Sequence, residues 1–249
     1  MNVSLYQAAA AMNAQARWQE LITQNLAASS APGYRKQDIS FASVQAGLDP
    51  SAANMTGMAY LIPQATSATN FQQGEMLPTG GNLDFAIDGP GLFEVQLPNG
   101  TKAYTRDGEF QLNAQGQMVT KQGYSVLGDG GPIQLDPSNP APITVSATGE
   151  ISQGDQPKGR IRLVEFAKMN ALNSIGGGYF LAGTGPGTQP VTATASTMRQ
   201  GFLEGSNSSP TTEMASLITS MRLFEANQKV LQTQDDRMGK VITDLGGTS

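Results

Sequence analysis

The sequence predicts an α+β fold: long N- and C-terminal helices pack as a coiled-coil-like core, with an antiparallel β-sandwich or irregular barrel domain between them. Apolar residues recur at spacings of three and four at both ends of the chain, and at spacings of two in its middle. Four segments are expected: an N-terminal assembly helix at 1–30, an extended linker at 31–82, a β-rich outer domain at 83–200 and a C-terminal assembly helix at 201–249.

The composition narrows the class of function. Among 249 residues, 14% are charged, the net charge is −5, and histidine and cysteine are both absent. Without a basic cluster, nucleic-acid binding is not expected, and the commonest general base, metal ligand and thiol nucleophile are missing. No apolar run is long enough to span a membrane. The N-terminus shows no signal-peptide pattern, so none is expected.

The N-terminal helix is predicted over residues 3–28. Leu5, Met12, Ile22 and Leu26 share one stripe with small alanines, and the turn at residues 29–33 ends the helix because it contains Pro and Gly. The stripe also contains two glutamines, so this helix would bind weakly alone. Its expected partner is the C-terminal helix, in the same chain or in a neighbour.

The C-terminal helix carries the more regular pattern. Ser209 is a suitable N-cap, Pro210 suits the first helical position, and two glycines follow Leu245. Gln228 and Asp235 interrupt the seam, and they either set its register or face a hydrated lumen or the β segment. The seam of alternating three- and four-residue gaps comprises Met214, Leu217, Met221, Phe224, Gln228, Leu231, Asp235, Met238, Ile242 and Leu245.

Both seams lead to the same prediction, that this protein is an assembly subunit. The alternative is an intramolecular two-helix stalk with no role in assembly. The predicted assembly-interface residues are Leu5, Met12, Ile22, Asn25, Leu26, Met214, Leu217, Met221, Phe224, Leu231, Met238, Ile242 and Leu245.

The middle of the chain is predicted to be strand-rich. The side chains of residues 92–97 alternate in polarity, as in a strand. Residues 98–100 are expected to form a hairpin turn, and residues 102–105 the second strand of the hairpin. Later strands are expected at 143–145, 149–151 and 160–166. Residues 34–74 show little periodicity and are expected to be poorly ordered until neighbouring subunits hold them.

No residue is assigned a catalytic, cofactor-binding or metal-ligating role. The glycine-rich stretch at residues 183–187 lacks the Lys and the following helix of a phosphate-binding loop, so a flexible loop is predicted. Asp84 and Asp88 are interpreted as turn and strand-end residues. The competing hypothesis is that they act as a general acid–base pair in a cell-wall-binding or hydrolytic β domain.

Three stretches together resemble the flagellar rod and hook family of bacterial axial proteins. The first runs from Asn25-Leu26-Ala27 through Gly33-Tyr34-Arg35-Lys36. The second runs from Asp84-Phe85 through Asp88-Gly89 to Thr105-Arg106-Asp107-Gly108. The third begins at Gly201-Phe202-Leu203-Glu204-Gly205-Ser206-Asn207 and continues into the C-terminal helix. Two positions depart from the family pattern: Ala28 stands where the family usually has Asn, and Ser208 where Val is common.

The resemblance implies a rod subunit of the flagellar basal body. Such proteins are exported unfolded by the flagellar secretion apparatus without a cleaved signal peptide, and they assemble into a helical tube that crosses the periplasm and transmits motor torque. The implied partners are copies of the chain and other rod proteins, with no small-molecule substrate. The short segment at 41–84 and the run from Gly159 favour the proximal, F-type rod protein over the distal one.

Overall fold

The computed structural model describes the backbone of residues 3–46, 60–185 and 187–246, and side chains at 8–42, 64–185, 187–240 and 243. These residues form two α-helices, nineteen strands and a short 3-10 helix at Met169–Ala171. The chain divides into two compact units. The helical unit consists of the described parts of Met1–Ala27, Gln37–Ala68 and Ser209–Ser249, and the β unit of Ala28–Lys36 and Thr69–Ser208.

The two helices are α1 (Val3–Ala27) and α2 (Pro210–Gly246). Pro210 opens α2 because its fixed φ suits the first helical position, and the Glu213 amide donates to the Ser209 carbonyl at 3.0 Å. At 1.5 Å per residue, α2 is roughly 55 Å long.

A two-stranded sheet completes the helical unit. It pairs β1 (Gln37–Ala46) with β2 (Tyr60–Thr69), and the ring of Phe41 meets Trp18 of α1 edge to face at 5.9 Å between centroids. The sequence predicted little order here, because the segment is rich in small polar residues. Pairing of the two strands satisfies their backbone groups without a regular apolar pattern. Residues 47–59 of the predicted linker lie outside the described residues.

The β unit contains seventeen strands, most of them three to five residues long. They are β3 (Met76–Pro78), β4 (Phe85–Asp88), β5 (Leu92–Gln96), β6 (Lys102–Thr105), β7 (Phe110–Leu112), β8 (Met118–Thr120), β9 (Ser125–Gly128), β10 (Gly131–Pro132), β11 (Ile143–Val145), β12 (Glu150–Gln153), β13 (Gln156–Arg160), β14 (Leu163–Glu165), β15 (Asn173–Gly176), β16 (Tyr179–Leu181), β17 (Val191–Thr192), β18 (Thr197–Gln200) and β19 (Phe202–Glu204).

One antiparallel sheet dominates this unit, in the order β15-β16-β6-β5-β9-β8-β7, with β10 paired to β9, β14 to β5 and β17 to β14. The predicted hairpin forms its centre, because β5 pairs with β6 in the register Phe93 opposite Thr105. Smaller sheets pair β11-β12-β13, β18-β4 and β19-β3. The predicted strand at 160–166 is divided between β13 and β14, since the Arg162 amide donates to the Leu127 carbonyl at 3.0 Å.

The central strand β5 has apolar residues on both faces, and each face meets a separate core. Phe93 and Val95 belong to the larger cluster with Phe85 and Phe110, whereas Leu92 packs with the smaller one. The smaller cluster contains Leu92, Tyr104, Val164, Phe166, Leu172 and Phe180. Burial of β5 on both sides makes it the structural centre of the β unit.

The predicted coiled-coil-like helical core is wrong for the described residues. Three seam residues are exposed, Met214 and Met221 at 53% and Met238 at 39%. The less exposed face of α2 includes Leu217, Phe224 and Leu231 of the predicted seam. At every other position of the seam, the residue on this face is the one that precedes the predicted residue. Those other positions are the polar residues Glu213, Ser220, Asn227 and Gln234.

The physical reason for this shift is the partner helix. The Asn227 Nδ2 donates to Oε1 of Gln15 on α1 at 2.7 Å, so the chain pairs amides there and leaves the methionines outside. The expected sandwich or barrel is also corrected, because the strands form one large branched sheet with several small ones. A β-rich region between two helices fits the prediction in part. The four predicted segments, bounded at residues 30, 82 and 200, stay a prediction.

Candidate assembly surfaces

An apolar ridge stands out on α2. Met214, Ile218 and Met221 follow one another at spacings of four and three, which places them on one side of the helix, and each is more than half exposed. We call these three residues the α2 ridge. Leu223 and Val230 are also exposed, but they lie on another side of the helix, about 140° and about 120° around it from Ile218. Exposed apolar side chains in a row make this surface a candidate for contact with another protein.

The predicted residues of α1 lie mostly on its inner face. Ile22 and Asn25 are both 3% exposed, and Met12 and Leu26 are partly buried. The Asn25 side chain holds the start of β1, donating to the Gln37 carbonyl and accepting from the Gln37 amide, both at 2.9 Å.

The structure therefore brings together only part of the predicted interface. Leu217, Phe224 and Leu231 lie partly buried on the inner face of α2, whereas Met214, Met221 and Met238 point outward. The side chains of Leu5, Ile242 and Leu245 lie outside those described, although their backbones are helical. A role in assembly stays a prediction for all thirteen residues.

A groove lies between α1 and the β1-β2 sheet of the helical unit. It consists of two adjoining cavities of 480 and 250 Å³, both lined by Arg17, Glu20 and Ala65. Ala10, Asn13, Ala14 and Gln64 line the larger cavity, and Leu21, Gln24 and Ile39 line the smaller one. We call this feature the α1 groove. Small side chains on its wall leave room for a neighbouring helix.

A buried ionic cluster in the β unit joins the three stretches that carry the family resemblance. The Glu204 carboxylate accepts from Arg35 Nη2 at 2.5 Å and lies 3.2 Å from Arg106 Nη1, and these side chains are at most 2% exposed. The Gly74 amide also donates to Glu204 Oε1, at 2.8 Å. We call Arg35, Arg106 and Glu204 the buried triad.

Backbone contacts close the same junction. The Gly33 amide donates to the Glu204 carbonyl at 2.7 Å, and φ of +67° at Gly33 is a conformation that favours glycine. A Cβ there would lie 2.3 Å from the Arg106 carbonyl carbon. Asn207 accepts from the Lys36 amide at 2.7 Å, and its amide donates to the carbonyls of Asn70 and Gln72. The sequence did not predict the buried triad.

Burial shifts the pKa values of two neighbouring groups. It lowers the pKa of Arg106 to about 10, against the opposing attraction of Glu204, and the charge of Arg35 lowers it further. Burial also raises the pKa of Asp107 to about 6, although the Glu109 amide donates to its carboxylate. The cluster thus contains charges that the fold holds out of water.

The two acidic residues considered for catalysis have separate structural partners. Asp84 accepts from the Thr79 hydroxyl at 2.6 Å, and Asp88 forms an ion pair with Arg199 at 3.0 Å. Within the described ranges, no group of three acidic, His or Cys residues is placed to hold a metal ion. Neither of the helices that the structure describes is long and apolar enough to cross a membrane.

Comparison with known proteins agrees with these observations. Residues 86–153 match the family model described as the flagellar hook protein FlgE/F/G D1 domain, and residues 199–244 match the flagellar basal body rod FlgEFG protein C-terminal model. Flagellar basal-body rod protein FlgF of Caulobacter vibrioides is 34% identical over 91% of each chain. FlgF of Mesorhizobium japonicum is 32% identical over the full length of both chains. FlgG of Borreliella burgdorferi is 32% identical over 95% of this chain and 96% of its own.

Proposed function

The chain belongs to the flagellar basal-body rod proteins and is a structural subunit of the rod, and we propose that it is the proximal, F-type subunit. The observation that carries the subtype is the FlgF relative that aligns end to end with this chain, from Mesorhizobium japonicum. The distal, G-type subunit is the second candidate, because the FlgG relative from Borreliella burgdorferi also aligns over 95% of the chain.

The function of this subunit is mechanical. It joins copies of itself and other rod proteins in a tube across the periplasm that transmits motor torque to the hook. It reaches that place through the flagellar secretion apparatus. The proposal of a purely structural role is supported by Asp84 and Asp88, since each is held in a contact that fixes a strand end.

Contacts with neighbouring subunits are made by the terminal helices. The α2 ridge supports this proposal because three exposed apolar side chains in water cost free energy that a neighbour would recover, at about 25 cal/mol per Å² of apolar surface. A contact between two different surfaces, repeated from copy to copy, produces a helical assembly rather than a closed dimer.

A strain that lacks this chain tests both position and function. Electron microscopy of its isolated basal bodies is expected to show rods stopped at the proximal end, with no distal rod and no hook. Expression of the full chain is expected to restore them. Complete rods without the chain would refute the structural role. Rods that stop only near their outer end would assign the chain to the distal rod instead.

A further inference from the structure

We propose that Ile218 and Met221 of the α2 ridge of one copy pack into the α1 groove of a second copy, with the two helices antiparallel. This inference rests on the proposed function, which makes a second copy of the chain the occupant of the groove. It goes further by naming the two surfaces, their orientation and their register.

Charged residues determine the orientation. Arg17 and Glu20 line the groove, three residues apart on α1, and both are exposed. Arg222 and Glu225 have the same order and spacing on α2, beside Met221, and both are exposed as well. A parallel arrangement would set Arg17 against Arg222 and Glu20 against Glu225. An antiparallel one sets Arg17 against Glu225 and Glu20 against Arg222, so each cation meets an anion.

That register matches the remaining side chains by chemistry. Once Arg17 faces Glu225, Met221 and Ile218 lie opposite Leu21 and Gln24. This end of the groove also contains Ile39, so Met221 meets an apolar side chain, and Ile218 meets the side chain of Gln24.

The other end of the groove is lined by Asn13, Gln64 and small alanines. In the same register it lies opposite Gln228 and Gln232, which are both exposed on the ridge side of α2. Amide side chains can donate to and accept from one another, so this polar end has suitable partners. The alanines of α1 allow the close approach that two packed helices need.

The contact joins two different surfaces of the chain. A copy that offers its ridge to one neighbour keeps its own groove free for another, so the contact repeats without closing. Two ridges, by contrast, would place methionines against methionines and leave the groove empty.

Single cysteines test this arrangement directly, because the chain has no cysteine of its own. Gln24→Cys and Ile218→Cys chains are co-expressed in place of the wild-type chain, and isolated basal bodies are oxidised mildly and run on a non-reducing gel. We expect a disulfide-linked dimer from this mixture and little from either variant alone. Leu223→Cys replaces Ile218→Cys as the matched control, since Leu223 is 46% exposed and Ile218 54%, but on another side of the helix. We expect at least a tenfold lower dimer yield from the control.

Charge exchange provides the second measurement. Arg17→Glu with Glu20→Arg in both cysteine chains is expected to reduce the dimer yield severalfold, and the addition of Arg222→Glu with Glu225→Arg to both chains is expected to restore it. Equal yields from the Ile218→Cys and Leu223→Cys mixtures, dominant self-linking of Ile218→Cys, or no rescue by the second exchange would each overturn the inference. If rods still require the chain in that case, the proposed function stands. If rods form without the chain, the proposed function fails by itself.

Discussion

Replacing Glu204 with Gln is expected to destabilise the β unit strongly. The carboxylate faces Arg35 at 2.5 Å and Arg106 at 3.2 Å, and Glu204 itself is fully buried. Gln retains the shape and can still accept from the Gly74 amide, but both arginines lose their counter-charge. Breaking a buried ion pair by removing one partner costs about 3–5 kcal/mol. Two stranded cations place this variant in the upper half of that range.

Hydrogen exchange followed by mass spectrometry measures this cost, because it reports the free energy of opening segment by segment. Peptides covering β4 to β6 are the relevant ones. Glu150→Gln is the matched control, since Glu150 pairs with Arg160 at 2.6 Å but both side chains are about half exposed. An exposed pair contributes only about 0–1 kcal/mol. The reasoning is refuted if the two substitutions have the same effect. Adding Arg35→Met to Glu204→Gln is expected to recover part of the loss, because it removes one of the stranded charges.

Three further predictions concern Gly33, Asp107 and the amide pair of the helices. Gly33→Ala is expected to lower the unfolding midpoint of the β unit much more than Gly80→Ala, because both glycines have positive φ but only at Gly33 would a Cβ meet backbone, at 2.3 Å. Asp107 has its folded-state pKa raised to about 6, so its ionisation costs stability, and the unfolding free energy contributed by this group falls from pH 4 to pH 6 and is flat above. Urea unfolding at several pH values measures this fall, and the Asp107→Asn variant is expected to lack it. A variant with the same pH profile as the unsubstituted protein would contradict the raised pKa of Asp107. Asn227→Ala is expected to destabilise the helical unit by about 1–2 kcal/mol because it leaves Gln15 unpaired, and Gln15→Leu with Asn227→Leu is expected to recover it, as thermal unfolding followed by Trp18 fluorescence would measure.

Local patterns were sufficient to predict the helices and the central hairpin. Helix α1 ends within one residue of the predicted position, and Pro210 begins α2 as the sequence indicated. The hairpin of β5 and β6 follows from alternation around a Pro-Asn-Gly turn. These features depend on neighbours in sequence, so one sequence contains the information that specifies them.

The face by which α2 contacts α1 could not be predicted in the same way. Leu217, Phe224 and Leu231 belong both to the predicted seam and to the observed inner face. A repeat of three and four residues is compatible with two contact faces on α2. Both faces share these three residues, and they differ by one residue at the positions between them. The choice between the two depends on the partner helix, which presents Gln15 and not an apolar side chain. The spacing of apolar residues in α2 does not show which side chains the partner helix presents.

The buried triad could not be predicted from the sequence either, because it also depends on contacts between distant parts of the chain. Arg35 and Glu204 are 169 residues apart, and each lies in a stretch that also contains turn glycines, so each looks like an ordinary surface charge. Only the fold shows that the three stretches of family resemblance meet at one carboxylate. One residue from each of those stretches thus belongs to the buried triad of the β unit. Met214, Met221 and Met238 of the predicted seam lie on the exposed side of α2, and their contact with neighbouring subunits stays a prediction.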